Sequence, residues 1–299
     1  MQTRFLAFVS LIRLPNLLML ALVQLLIVQF YLPAFIPDFQ LASWKLCLLI
    51  LSMCFLAAGG NLINTYFDQQ TDLINKNKLY NQYKHLGKRN TILLYLFFSI
   101  MGIALGFFLS SDVENYLAFG IYSFVFIVLL GYTKYAKAYF VIGNFLISLL
   151  VGLSILLPFI LFLDLQYFNL DNPIFQLLSS YIVLSVLINL ARELAKDMED
   201  IVGDYASNLH TFPILMGKKR SKFFIQFLVT ICIIGLILVY FHFFNGQLFP
   251  LLYLFLVLIS TGIFIFVKAG KANHKRDFSK LSRLFKIWMS LGLISLAFY

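Results

Sequence analysis

Nine stretches of mostly apolar residues run along the chain, at roughly 12–31, 44–65, 91–110, 113–132, 140–163, 173–194, 223–243, 247–267 and 284–299. A hydrocarbon layer ~30 Å thick is crossed by about 20 such residues in a helix. The pattern therefore predicts an all-α membrane protein of nine transmembrane helices. Polar breaks between the stretches are short, except at 66–90, 192–222 and 268–286. Ser110-Ser111-Asp112 and Phe244-Asn245-Gly246-Gln247 read as tight turns. The run after Arg13 stays apolar to Tyr31, too long for a leader core and with no small-residue cleavage pattern behind it. It is expected to be retained as the first span. No low-complexity segment interrupts the chain, so 1–299 reads as a single polytopic domain.

Composition narrows the class. Apolar residues make up 61% of the chain and charged residues 12%, with a mean hydropathy of +0.89. A soluble domain carries about twice that charged share. A soluble enzyme, a disordered chain and a nucleic-acid-binding domain are excluded. The cysteines Cys47, Cys54 and Cys232 lie in apolar stretches, which predicts no disulfide framework. His85, His210, His242 and His274 are scattered, without the spacing of an imidazole metal site.

The net charge of +10 acquires meaning only by location. The N-terminal segment and the polar segments 66–90, 133–139, 192–222 and 268–286 hold every Lys and Arg except Lys45. The opposite connections hold Asp38, Asp112, Glu114, Asp164 and Asp171. Basic residues beside membrane spans mark the cytoplasmic side. The chain is thus expected to sit in the cell's inner membrane with a cytoplasmic N-terminus and polar segments, and an external C-terminus.

The acids on the basic side fall almost wholly into two stretches. Asn64, Asp68 and Asp72 are spaced i, i+4, i+8, so a helix continuing past the second span sets all three on one face. Glu193, Asp197, Asp200 and Asp204 are spaced i, i+4, i+7, i+11 and again share a face. Like charges at i, i+4 destabilise a helix, and a cation would relieve them. Oxygen-only donors suit Mg²⁺, which is commonly held by carboxylates together with substrate phosphates. Lys76, Lys78, Lys84, Lys88, Arg89, Lys134, Lys137, Arg192 and Lys196 stand nearby. Acids and cations mixed in this way match a diphosphate, whose lipid tail would occupy a cavity among the helices. The recurrence of an acidic stretch four spans on suggests two four-helix halves, with a ninth helix added around that central cavity.

These residues resemble the UbiA-type intramembrane prenyltransferases. Asn64-x-x-x-Asp68-x-x-x-Asp72 is similar to that family's first aspartate-rich motif. Arg192-Glu193-x-x-Lys196-Asp197-x-Glu199-Asp200-x-x-Gly203-Asp204 is similar to the second, and Thr211-Phe212-Pro213 through Gly217 to its ending. Arg13-Leu14-Pro15-Asn16 resembles the N-terminal signature with one inserted residue, and Tyr132 with Lys137 resembles the Tyr/Lys motif, spaced five apart instead of four. Thr65 stands where many members carry Asp.

The resemblance implies a Mg²⁺-dependent enzyme that transfers an isoprenyl group from its diphosphate to a lipophilic acceptor. Asn64, Asp68, Asp72, Asp200 and Asp204 would hold two Mg²⁺ ions. Lys137 and Tyr132 would contact the diphosphate, and Asp197 would serve near the second ion or as a base for the acceptor. Asn16, Asn64, Arg192 and Lys196 would contribute to substrate binding. The second motif is most similar to the branch that prenylates geranylgeranylglyceryl phosphate in ether-lipid synthesis. An aromatic acceptor, as in quinone and haem synthesis, is the alternative. Neither nucleic acid nor an obligate protein partner is implied. A transporter would instead place its charges near the middle of the spans, whereas these acids stand at their cytoplasmic ends.

Overall fold

A computed structural model describes residues 2–36, 38–76, 78–134 and 142–298, and among them all regular structure is helical. In chain order the helices are α1 (Gln2–Leu11), α2 (Leu14–Phe35), α3 (Ser43–Phe67), α4 (Gln69–Ile74), α5 (Lys78–Leu86) and α6 (Lys88–Asp112). They continue as α7 (Tyr116–Lys134), α8 (Ile142–Phe162), α9 (Pro173–Ala206), α10 (Phe212–Phe243), α11 (Leu248–Lys271) and α12 (Lys275–Phe298). Eight of them, α2, α3, α6 and α8 to α12, are long and apolar enough to cross a membrane. The remaining expected span corresponds to a shorter apolar stretch, Tyr116–Tyr132.

Several boundaries differ from the sequence reading, α10 for one starting at Phe212 and not at 223, and two have a clear local cause. α6 runs through the expected Ser110–Asp112 turn, and the chain reverses just beyond it. Glu114 takes a left-handed φ of 53°, and the Asn115 amide donates to the Ser110 carbonyl at 2.8 Å. In apolar surroundings a helix keeps its backbone bonds internal, so it extends until a residue can cap it. The last helix begins at Lys275, earlier than expected. His274 and Asp277 form a reciprocal cap, with the His274 amide donating to Asp277 Oδ2 at 3.0 Å. The polar Lys275–Arg283 stretch is therefore helical, and it buries Phe278 and Leu281 on one face.

The described chain divides into two compact units. The first comprises Met1–Ala138, Leu157–Leu163 and Val202–Leu209. Its centre is α3 against α6, where a side chain at Gly102 would meet the Leu56 backbone nitrogen at 2.9 Å. Such close backbone approach is how helices gain contact in a membrane, where apolar burial drives little. Leu11, Leu17, Ala58, Leu62, Tyr83 and Leu86 form one buried cluster joining α1, α2, α3 and α5. Between α1 and α2, Arg13 turns through φ 56°, and Asn61 Nδ2 donates to the Ile12 carbonyl at 2.9 Å. In α2, Ile27–Tyr31 widens into a π turn just before Pro33, which has no N–H to continue the ladder.

The second unit comprises Tyr139–Leu156, Asp164–Ile201 and His210–Tyr299. Cys232, Ile265, Phe285 and Trp288 are buried within it. The π-helical segment Leu254–Ile259 of α11 presents the Leu258 carbonyl to Trp288 Nε1 at 2.9 Å. Near its start α10 kinks at Gly217, whose φ of 80° few side chains would tolerate. Lys222 Nζ donates to the Gly270 and Ala272 carbonyls at 3.1 Å and caps the end of α11.

Candidate active site

The first acidic stretch is not one helix. α3 ends at Phe67, and Asp68 leaves the helical region with φ −81° and ψ 5° before α4 begins. Local bonding nevertheless keeps the register. Asp68 N donates to the Asn64 carbonyl at 2.9 Å, and Asp72 N to the Asp68 carbonyl at 2.8 Å. The side chains of the first pair also meet, with Asn64 Nδ2 donating to Asp68 Oδ2 at 2.8 Å. The amide's other atom, Asn64 Oδ1, is buried with no hydrogen-bond partner among the described residues. Asp72 is buried on α4. Tyr83 packs nearby, and burial pushes its phenol up, opposed by a hydrogen bond with Gln69.

The end of the second stretch belongs to the same unit. The Gly203 amide donates to Asn75 Oδ1 at 3.0 Å, and the Thr71 and Ser207 hydroxyls are bonded at 3.0 Å. A side chain on Gly203 would run into Asn75 and lie 2.8 Å from the Thr71 carbonyl. Asp204, next along, is only 2% exposed. These contacts fasten the Asp204 turn of α9 to the Asp72 turn of α4. Asn75, Thr71 and Ser207 were not singled out from the sequence. Their partners are more than a hundred residues away, and no local pattern marks such a pairing.

The rest of the second stretch lies in the other unit and is built differently. α9 is unbroken from Pro173 to Ala206, so the predicted common face exists, with Asp200 one turn before Asp204. Glu193 is 4% exposed and bridges two cations, Arg192 Nη1 at 2.6 Å and Lys196 Nζ at 2.9 Å. Arg192 Nη1 also donates to Asn189 Oδ1 at 3.0 Å. Asn189 reaches Ser148 Oγ at 3.2 Å on α8, and Ser148 donates to the Asn144 carbonyl at 2.7 Å. Asn144 Nδ2 in turn donates to Asp197 Oδ2 at 2.6 Å.

Of the other expected residues, Asn16 is partly buried at the start of α2, with its amide bonded to the Arg13 carbonyl at 2.8 Å. Tyr132 is partly buried near the end of α7, and Lys137 lies outside the described residues. Among the described residues, no three His, Cys, Asp or Glu side chains converge in an arrangement that would hold a metal ion by themselves. The donors on the two stretches are oxygens: the buried Asn64 Oδ1, which has no hydrogen-bond partner among the described residues, and the buried carboxylates of Asp72 and Asp204. That set suits a hard cation completed by oxygens from a substrate.

Eight membrane-length helices, with acidic and amide oxygens near the ends of two of them, make this a polytopic helical membrane protein. The chain belongs to the UbiA prenyltransferase family, whose model matches residues 15–290. It is an integral membrane prenyltransferase. The digeranylgeranylglyceryl phosphate synthase of Methanobrevibacter smithii is 30% identical over 258 residues, covering 84% of this chain and 85% of that one. A solved structure of digeranylgeranylglyceryl phosphate synthase in membranes is 26% identical, with a TM-score of 0.67 over 100% of this chain and 98% of that one. A UbiA homolog from Archaeoglobus fulgidus, solved with DMAPP and Mg²⁺, shares the fold at 16% identity and a TM-score of 0.63. It covers 96% of this chain and 99% of that homolog.

Proposed function

We propose that the chain transfers a geranylgeranyl group from geranylgeranyl diphosphate to the free hydroxyl of geranylgeranylglyceryl phosphate, in membrane lipid synthesis. The observation that carries this reading is the fastening of the Asp204 turn to Thr71 and Asn75, on the same stretch as Asn64, whose buried Oδ1 has no hydrogen-bond partner among the described residues. It fits a donor site whose oxygens come from both motifs. Asn64, Asp68, Asp72, Asp200 and Asp204 would hold Mg²⁺, which when bound offsets the diphosphate's negative charge and makes it a better leaving group. Solved relatives with DMAPP and with GPP, each with Mg²⁺, support the donor class. The names of the curated relatives support the acceptor.

In the reaction, the allylic C–O bond to diphosphate breaks and an acceptor oxygen bonds the same carbon. Lys137 and Tyr132 contact the departing diphosphate, and Asn16 contributes to substrate binding. Asp197, fixed by Asn144, takes the proton from the acceptor hydroxyl. Arg192 and Lys196 bind substrate. The whole chain, 1–299, acts as one catalytic domain of nine spans, in two four-helix halves with a ninth helix around a central cavity. The shorter Tyr116–Tyr132 helix supplies the fourth span. The N-terminus and both acidic motifs face the cytoplasm and the C-terminus faces outward, as the basic-residue bias favours.

The test is purified protein with labelled geranylgeranyl diphosphate, Mg²⁺ and a panel of acceptors. Transfer to geranylgeranylglyceryl phosphate is expected. Transfer only to hydroxybenzoate or naphthoate would overturn the acceptor assignment, and absence of Mg²⁺ dependence would overturn the donor site.

A further inference from the structure

The second unit holds a buried charged group that the donor chemistry does not require. Arg192 is 9% exposed, and its Nε has no hydrogen-bond partner among the described residues. A buried guanidinium N–H left unpaired is costly, and arginine supplies a planar fork suited to phosphate oxygens. Beside it, Lys196 Nζ is held on the other oxygen of Glu193, with its side chain 31% exposed. One carboxylate thus fixes two cations of opposite accessibility, one deep and one at the rim. The mount is rigid on its far side, because Asn189 ties Arg192 back to Ser148 on α8.

We infer that Arg192 and Lys196, positioned by Glu193, form the site for the phosphomonoester of the acceptor. Position along α9 separates this site from the donor's diphosphate. Lys196 and Arg192 precede Asp200 by one and two helical turns, about 6 Å and 12 Å along the axis. All three residues share a face, and the two cations stand on its Glu193 side, before Asp200. The phosphate completes the donor set of Arg192 and gives Lys196 a second anionic partner beside Glu193. A dephosphorylated acceptor leaves both unmet. Glu193 touches the cations and not the substrate, and is a positioning residue.

This inference rests on the proposed acceptor, and the experiment separates the two. Steady-state kinetics are measured for wild type, Arg192→Gln, Lys196→Gln and Glu193→Gln, varying phosphorylated acceptor, dephosphorylated acceptor and donor in turn. Arg192→Gln and Lys196→Gln should each raise KM for the phosphorylated acceptor by about 10- to 100-fold, the size of a lost charge-assisted hydrogen bond. Donor KM should stay within about twofold. Glu193→Gln should raise acceptor KM while kcat changes little, a split that a merely structural role would not give. The preference for phosphorylated over dephosphorylated acceptor should shrink in all three. If Arg192→Gln does not fold, rim-exposed Lys196→Gln carries the test by itself. Wild type active on the phosphorylated acceptor, with acceptor KM unchanged in folded variants or with donor KM rising instead, overturns the phosphate site alone. Wild type inactive on that acceptor overturns the function on which it rests.

Discussion

The two acidic stretches look alike in sequence and are built in opposite ways. The first is broken at Asp68, and its leading amide donates to a carboxylate while Oδ1 is buried with no hydrogen-bond partner among the described residues. The second is an unbroken helix whose first carboxylate, Glu193, is bridged by two cations. One run of acids on a helix face thus meets two different settings, ion-paired at Glu193 and buried against the Asp72 turn at Asp204. Toward Glu193 two cations share one carboxylate, the arrangement proposed above to meet an incoming phosphate. Toward Asp204, the helix end is fastened to the Asp72 turn, the place proposed above for a cation.

The largest effects should come from the carboxylates assigned to the metal. Asp68→Ala and Asp204→Ala are each expected to lower kcat by at least about a thousandfold with the fold retained, checked by product formation and thermal melting. Full activity in either would break the comparison, since both stretches are required to act as one site. Next is Gly203→Ala, whose new methyl collides with Asn75 and the Thr71 carbonyl. Forcing the two turns apart should cost about a hundredfold in kcat, a loss typical of misplacing catalytic groups by about 1 Å.

Asn75→Ala sharpens the same point more gently. It leaves the buried Gly203 amide without its acceptor, at about 1–3 kcal/mol of stability, measured by melting in detergent. A fall in kcat should accompany it, while acceptor KM stays fixed. Ser207→Ala removes only the hydroxyl pair with Thr71 and should cost about 1 kcal/mol with kcat near wild type.

Much of this was legible because membranes impose long apolar runs and helical spacing imposes i, i+4 patterns. The eight long helices and the face carrying Glu193, Asp197, Asp200 and Asp204 follow from those two rules. The break at Asp68 was not legible, because Asn64–Asp68–Asp72 spacing is the same whether or not ψ at Asp68 stays helical. The early start of α12 was obscured by its basic residues, which hid the apolar face of Phe278 and Leu281. The Asn75–Gly203 and Asn144–Asp197 bonds depend on which helices become neighbours, and pattern along the chain carries none of that.

The central claim is that both stretches hold one donor through Mg²⁺. Its most direct test is equilibrium binding of labelled geranylgeranyl diphosphate, with Mg²⁺ and with chelator, to wild type, Asp68→Asn and Asp204→Asn. Tight binding is expected only for wild type with Mg²⁺, weakened at least about tenfold by chelator or by either substitution. Undiminished Mg²⁺-dependent binding in either variant, or equal binding in chelator, would contradict it.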